Sequence, residues 1–485
     1  MKRFSENLSK ILTAIYAVVT LIFIGFLFVL NMIPFKYFAI IAVVLILLFL
    51  IAALLMFMGD RNKKSKKGIV GKVMSIIMSI ALIIGLIYVV QGNNTLGNIT
   101  GSNVQTHTYT LNVLIDSEFD EMKDLDGHKV LINEATTDEY FNQILEEFKK
   151  KCPNAEIVTT TDFNDLVNML LNGEVDAILI NEGYRGVLEE IKGDFSVLTK
   201  VIFEKDLDQK VEDFSTEVKV TEDVFTIFIS GIDTRGKVST VSRSDVNMLV
   251  TVNPKTKQIL MTSIPRDYFV TLANLGKKDK LTHAGLGGVE NSVKTIENFM
   301  GIEINYYARV NFTSLVKIVD ALGGITVNSP VSFTTLHGGY YIEAGDNYMD
   351  GEKALCFVRE RYSLANGDND RVKNQQRVLT AMLKKMMSPT IITNYSSILN
   401  AVSGSFETNM KSNDITSLIK MQIEDMASWD IKQIQLTGRG ESMFGGALMP
   451  DTALYYMIPN ENSVNECRAI IQEMMDGGNI MSDAQ

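Results

Sequence analysis

TEDVFTIFISGIDTRGKVSTVSRSDVNMLVTVNPKTKQILMTSIPRD, residues 221–267, holds three apolar runs of strand length separated by polar turns. The first, 221–233, closes on Asp233; the second, 246–253, begins directly after Asp245; the third, 258–264, runs into Pro265-Arg266-Asp267. Short runs rich in β-branched and aromatic residues between turn signals read as strands. Downstream the period lengthens. Val289, Val293, Ile296 and Met300 fall at helical spacing within 288–300, and INYYARVNF (304–312) leads into a helix over 313–322 that Gly323-Gly324 stops. A hairpin-like stretch at 330–346, a helix from about 350 to 358 and a longer one at 370–387 follow. Residues 222–480 are therefore expected to form one α/β unit, α-β-α in layering, with a mainly β central sheet flanked by helices.

Toward the N-terminus, strands at 108–116, 129–135, 156–161 and 176–181 alternate with helices at 137–151 and 162–173. This predicts a small α/β accessory domain over 106–215, with no chemical constellation of its own. Residues 91–105 (QGNNTLGNITGSNVQ) are polar and read as a linker. Residues 1–90 differ in kind. Segments 11–33 and 37–59 carry no charge, and 69–90 carries only Lys72. Each can cross a hydrocarbon core of ~30 Å, which needs about 20 helical residues, and a signal peptide has only one apolar run of ~7–15 residues. A three-helix membrane anchor is expected.

Lys2, Arg3 and Lys10 precede the first span, and Arg61, Lys63, Lys64, Lys66 and Lys67 crowd the loop between the second and third. The turn between the first two spans holds only Lys36. Basic residues in short loops favour the cytoplasmic side, so the chain beyond Val90 is expected to be extracytoplasmic in a multi-pass cell-membrane protein. The first 90 residues hold 10 Lys and Arg against 2 Asp and Glu, leaving 36 against 55, or −19, for the remainder. Such a surface argues against nucleic-acid binding. Three cysteines without metal or redox spacing suit a surface that does not rely on disulfides, as in a monoderm bacterium.

In this acidic part the arginines gather at element ends. Arg235, Arg243 and Arg266 flank the strand ends, and Arg359, Arg361 and Arg371 lie within FVRERYSLANGDNDRVKNQQRV (357–378). If the chain is extended after the helix, Arg359 and Arg361 point one way and Glu360 the other. Arg371 and Gln375, four apart, share a helix face beside an apolar one of Val372, Leu379, Leu383 and Met386. Arginine suits bidentate binding of phosphate oxygens; any single one could equally be a surface ion pair. Asp233 and Asp245 could approach if their strands are neighbours, either to hold Mg²⁺ beside a diphosphate or to neutralise arginines. Asp368 and Asp370 read as further metal candidates or as turn and helix-cap residues. Serine-hydrolase elbow, zinc-protease and phosphate-loop motifs do not occur.

The ordered segments GIDTRG, SRSDVNMLVTVNP, SIPRD, KLTHAGLGG, YYARVNFTSLVKIVDALGGITV and VRERYSLANGDNDRVKNQQ resemble the LytR-CpsA-Psr family of cell-wall glycopolymer transferases across roughly 222–390. With three spans and an accessory domain, the chain looks like the capsule-type subgroup. The resemblance implies transfer of a polyprenyl-pyrophosphate-linked anionic glycopolymer to peptidoglycan, forming a phosphodiester and releasing polyprenyl phosphate. It implies Mg²⁺ on Asp233 and Asp245, and a pyrophosphate grip by Arg243, Arg266, Arg359, Arg361, Arg371 and Gln375. Asp233, Arg235, Arg266 and Asp370 are the expected catalytic residues, with Asp233 or Asp370 as base. Membrane lipid and capsule-assembly membrane proteins are the further partners implied. A pyrophosphate hydrolase using the same site, or a membrane-anchored lipid-phosphate sensor, would share these residues.

Topology is directly testable. An impermeant thiol reagent on intact cells should modify an Asn98→Cys probe and spare a Ser65→Cys probe; the reverse labelling would remove the case for an extracytoplasmic site.

Overall fold

The computed structural model describes residues 2–31, 33–61, 66–99, 104–232, 237–389, 394, 397–398, 401 and 406–481. Helices α1 (Lys2–Leu30), α2 (Phe35–Arg61) and α3 (Lys67–Ile99) contain three stretches long and apolar enough to cross a membrane: Glu6–Leu30, Phe35–Arg61 and Lys67–Val90. Tyr16, Leu45, Ala52 and Leu82 pack them together, while most of their large apolar side chains face outward, as a bundle immersed in lipid requires. The expected linker is shorter than its composition indicates, because α3 continues to Ile99. An established helix gains a hydrogen bond per added residue, and no proline interrupts 91–99.

The next unit comprises β1 (Val104–Leu114), β2 (Lys129–Asn133), α4 (Glu139–Lys151), β3 (Glu156–Thr160), α5 (Phe163–Leu171), β4 (Ala177–Asn181), α6 (Arg185–Ile191), α7 (Phe195–Leu198) and β5 (Thr199–Lys210). Its sheet runs β3-β2-β4-β1-β5, parallel about β2 and antiparallel about β1. Strand β5 escaped sequence reading. Its second half alternates with charge (EKDLDQK), as a strand at a sheet edge does, and lacks the continuous apolar run that marks β4.

The larger unit begins with β6 (Phe225–Ile232), β7 (Ser244–Asn253), β8 (Gln258–Ile264), β9 (Phe269–Thr271), β10 (Lys278–Lys280), α8 (Gly288–Met300), β11 (Tyr306–Val310) and α9 (Phe312–Ala321). It continues with β12 (Ile325–Ser329), β13 (Phe333–Thr334), β14 (Tyr341–Ile342), β15 (Gly345–Met349), α10 (Gly351–Arg359) and α11 (Asp368–Met386). It ends with β16 (Phe406–Thr408), α12 (Ser412–Asp425), β17 (Asp430–Gln435), β18 (Gly438–Met443), β19 (Leu454–Pro459) and α13 (Glu461–Met475). Six strands form the central sheet in the order β16-β11-β6-β7-β8-β17. Leu249, Leu260 and Ile264 face α8 and α13 on one side, and Met248, Val250, Ile259 and Met261 face α11 and α12 on the other. Both faces are covered, so β8 is buried at every position and reads as a continuous apolar run. The expected α-β-α layering is present.

The two units are closely fitted. Thr106 N donates to Ser239 O and Val241 N to Thr106 O, each at 2.8 Å, and Met449, Leu454 and Tyr456 complete a core with Phe163, Leu166 and Phe195. A Cβ at Gly183 would stand 2.9 Å from Val241 O, and one at Gly186 would collide with the Arg243 guanidinium. At the N-terminal helical bundle, Lys420 Nζ donates to Asn31 Oδ1 at 2.9 Å and Lys36 Nζ to Glu424 O, so α12 meets the α1–α2 turn.

Under the sheet edge, Arg309 and Glu407 are almost wholly buried, 3.7 Å apart, with Tyr307 Oη donating to Glu407 at 2.8 Å and Arg309 Nη2 to Thr240 O at 3.0 Å. Burial raises the Glu407 carboxyl while Arg309 opposes it. A raised carboxyl favours the folded state below its unfolded pKa and loses that advantage as pH rises through the folded pKa. Arg309→Met should therefore cost about 3–5 kcal/mol near pH 8 and less at about pH 5, where Glu407 can take a proton. Adding Glu407→Leu should recover most of it. Urea midpoints at both pH values check this; a loss independent of pH would show that Glu407 does not carry the effect.

Candidate active site

Antiparallel pairing of β7 and β8 sets Asn247 opposite Ile264. Two residues further along each strand, at the same end, stand Asp245 and Arg266, and the register forces them together. Arg266 Nη1 donates to Asp245 Oδ2 at 2.7 Å, and Thr282 Oγ1 to Asp245 Oδ1 at 3.0 Å. Burial would raise the Asp245 carboxyl, but Arg266, Arg243 and Arg371 outweigh it and hold it at about 2. For Arg266, burial is outweighed by Asp245 and Asp267, and its pKa moves further up. Both groups stay charged.

They sit beside a cavity of about 620 Å³ at the sheet end. Arg243, Arg266, Lys280 and Arg361 line it with Glu189, Glu190, Asp267 and Asp368, and Tyr362 and Tyr455 stand at the same wall. Arg371, in the first turn of α11, pairs with Asp368 at 2.5 Å. The Nε atoms of Arg266 and Arg371 are buried without a hydrogen-bond partner among the described residues; Asp267 lies 3.6 Å from the former, an ion pair only. Buried guanidinium N–H groups left unmatched are what an absent anion would satisfy.

Sequence reading reached part of this site. Asp245, Arg243, Arg266, Arg361 and Arg371 converge. Gln375 lies half-buried one turn beyond Arg371. Arg359 corrects an expectation: α10 continues through it, so it does not extend in step with Arg361, and its guanidinium stacks 4.2 Å above Phe312. Arg361 stacks on Tyr362 at 4.5 Å. Glu360, expected to point away from the two arginines, is buried and accepts from the amides of Leu336, Arg361 and Ser363; three chain amides need an acceptor there. Asp370 accepts from Asn366 N at 3.0 Å and pairs with Lys373 at 3.6 Å, while Asp368 lines the cavity. Asp233 and Arg235 lie outside the described residues.

Lys280, His283 and Glu190 were not found from sequence. Lys280 Nζ lies 2.8 Å from Glu190 Oε2, and Arg243 Nη1 3.1 Å from Glu190 Oε1. His283 is fully buried, with Nδ1 3.0 Å from Asp279 and Nε2 3.7 Å from Glu190, the latter an ion pair rather than a hydrogen bond. Burial would lower the His283 pKa, but Asp279 and Glu190 raise it. Asp279, just before the KLTHAGLGG segment, and His283 within it held a signal four positions apart; Glu190 had none, because it comes from the other unit.

For Mg²⁺ the donor chemistry fits in part. Among the described residues no cluster of three or more His, Cys, Asp or Glu could hold a metal ion. Magnesium commonly takes one or two carboxylates plus substrate phosphates and water, and ionised Asp245 suits that role as a single ligand.

The profile described as the LytR_cpsA_psr family matches residues 197–472, and one described as NMT1/THI5 like matches 99–226. A polyisoprenyl-teichoic acid–peptidoglycan teichoic acid transferase, TagU of Enterococcus faecalis, is 37% identical over 220 residues, covering 44% of this chain and 71% of the relative. TagU of Bacillus anthracis is 33% identical over 254 residues, covering 52% and 80%. The crystal structure of B. subtilis TagV covers 53% of this chain and 98% of its own, at 30% identity and a TM-score of 0.45.

The Glu190 carboxyl gives a pH signature. Burial would raise it, but His283 and Lys280 pull it down to about 2. A depressed carboxyl contributes stability above its unfolded value, near 4.3, that is lost as pH falls toward the folded value. Melting of the parent should therefore drop more steeply between about pH 5 and pH 3 than that of Glu190→Gln. Parallel curves would show that Glu190 is not held ionised by its neighbours.

Proposed function

The chain belongs to the LytR_cpsA_psr family, and from that premise we propose that it transfers an anionic glycopolymer from a polyprenyl pyrophosphate carrier to peptidoglycan. The observation that carries this reading is the convergence of Arg266 and Arg371 on ionised Asp245, their buried Nε–H groups having no hydrogen-bond acceptor among the described residues. Relatives described as transferring polyisoprenyl-linked teichoic acid to peptidoglycan support the same class of substrates. Capsular and teichoic-type polymers both fit, since the grip is on the shared diphosphate.

A peptidoglycan sugar hydroxyl attacks the phosphorus bonded to the glycopolymer. The new P–O bond replaces the phosphoanhydride bond, and polyprenyl phosphate leaves with the electron pair. Little covalent chemistry falls to the protein; positioning and charge neutralisation carry such transfers. Arg266, Arg361 and Arg371 hold the phosphate oxygens, with Arg243 at the far wall and Gln375 beside Arg371. Arg359, stacked on Phe312, supports the loop more than the diphosphate. Asp245, joined by Asp233, would hold Mg²⁺, which would supply further neutralisation of the phosphate charge.

The proton of the attacking hydroxyl needs a base. Asp370 is engaged by Asn366 and Lys373. Asp267 lines the cavity with a carboxyl that burial raises and Arg266 only partly restrains, so it joins Asp233 as a proton acceptor; a raised carboxyl is the better base near neutral pH. The polyprenyl chain would run along the apolar side of α11, where Leu379 and Leu383 pack. For an extracytoplasmic site, support comes from the basic residues before α1 and between α2 and α3, and from α12 touching the opposite turn at Asn31 and Lys36.

The test uses the full chain in vesicles with polyprenyl-pyrophosphate-linked polymer, peptidoglycan and Mg²⁺. A covalent polymer–peptidoglycan adduct with release of polyprenyl phosphate is expected; free polymer without adduct would identify a hydrolase instead. Lysine cannot reproduce the planar fork of arginine, and charge-assisted hydrogen bonds contribute about 1.5–3 kcal/mol. Arg361→Lys and Arg371→Lys should each reduce turnover roughly ten- to a hundredfold with little change in melting, and Arg359→Lys less. Turnover within a few-fold of the parent for Arg361 and Arg371 would mean that the diphosphate binds elsewhere.

A further inference from the structure

Glu190 reaches the cavity from α6, a helix of the accessory unit, and its carboxylate is held by cations of the larger unit. Lys280 lies at 2.8 Å, Arg243 at 3.1 Å and His283 at 3.7 Å. Lys280 and His283 are at most 7% exposed, and Arg243 and Glu190 at most 17%. Two carboxylate oxygens facing three cationic or proton-bearing nitrogens reproduce the coordination of a phosphate group by a basic pocket.

The charge balance of the cavity sharpens the point. Among the described lining residues, Arg243, Arg266, Lys280 and Arg361 face Glu189, Glu190, Asp267 and Asp368, four cations against four carboxyl groups. Two of those four carboxyl groups come from the accessory unit. A diphosphate entering this cavity competes with carboxylates already paired to its cations. The asymmetry lies with Glu190, because its partners Arg243 and Lys280 line the same cavity as Arg266 and Arg361.

The contact is local to α6, whose Val187 and Leu188 are fully buried in the core shared by the two units. Arg243 Nη1 donates to the Gly186 carbonyl at 3.1 Å, and only glycine at 186 leaves space for the guanidinium. Helix α6 is seven residues long, and Gly193 follows it two residues beyond its end. Few backbone hydrogen bonds hold so short a helix.

Resting on the transferase reading above, we propose that Glu190 is an internal stand-in for a substrate phosphate, which a polyprenyl pyrophosphate displaces from Arg243, Lys280 and His283, so that the accessory unit gates the site and releases α6 when the carrier lipid binds. Glu190 thereby sets the affinity for the diphosphate, favouring ligands anionic enough to compete with a tethered carboxylate. No bond is made or broken in this exchange; one anion replaces another.

Full-length parent and Glu190→Gln are compared in detergent micelles with geranylgeranyl pyrophosphate and Mg²⁺ as the probe. Removing the competing charge should tighten binding about tenfold while lowering the melting temperature of the ligand-free protein. The opposite signs separate a displaced stand-in from a residue that positions its cations, whose loss would weaken both. In the parent alone, hydrogen exchange of the 186–192 amides should speed up on adding the probe; this readout stands if the variant does not fold. Unchanged or weaker binding by a folded Glu190→Gln, or α6 amides that become more protected with the probe, would overturn the gate while leaving the transferase reading in place. A folded parent that binds no probe at all would remove both.

Discussion

The Asp245–Arg266 pair is the contact on which the site depends, and it exists because of strand register. Burying two charges is expensive, and a buried pair is tolerated only where geometry and further hydrogen bonds compensate. Here the geometry is imposed from the core. Leu249 and Leu260 must face α8 and α13 while Met248, Val250, Ile259 and Met261 face α11 and α12. Slipping β7 against β8 by one residue would exchange those faces and carry Asp245 away from Arg266. The apolar packing of the sheet thus sets the separation of charges at its end.

Once that pair is in place, the remaining charged groups follow from what each can reach. Arg371 enters from the first turn of α11 and is restrained by Asp368, one turn earlier. Glu360, buried beneath the loop, ties three amides and so fixes the chain that carries Arg361. Both are rigid supports for flexible guanidinium groups, which reduces the entropy lost when a ligand is gripped. Arg359 serves a different purpose by stacking on Phe312, where a cation over an aromatic face adds attraction and packing.

The accessory unit is more than a spacer between membrane and sheet. It shares a core with the β18–β19 hairpin through Tyr456 and Leu454, exchanges backbone hydrogen bonds with residues 239–241, and closes one wall of the cavity with Glu189 and Glu190. Tyr456 links these roles, since its ring packs against Phe269 and lies under the Lys280 ammonium. A shift of the accessory unit would therefore be felt by the cations of the site directly.

Residues adjacent in the chain, or repeating with a regular period, were legible in the sequence: three apolar spans, the strands 246–253 and 258–264, the helix that carries Arg371 and Gln375, and the gathering of arginines at element ends. Local chemistry decides those features, since hydrophobic periodicity and chain length act within a few turns. Edge strand β5 was missed because its charged alternation resembles a surface loop, and the expected alignment of Arg359 with Arg361 failed because α10 continues through Arg359. What pairs with what was decided only by tertiary structure. Asp245 meets Arg266 across strands, and Glu190 meets Arg243, Lys280 and His283 across two units, through 53 to 93 positions of intervening chain. Coulomb attraction in a buried site depends on separation in space, and a one-dimensional pattern carries no measure of that distance.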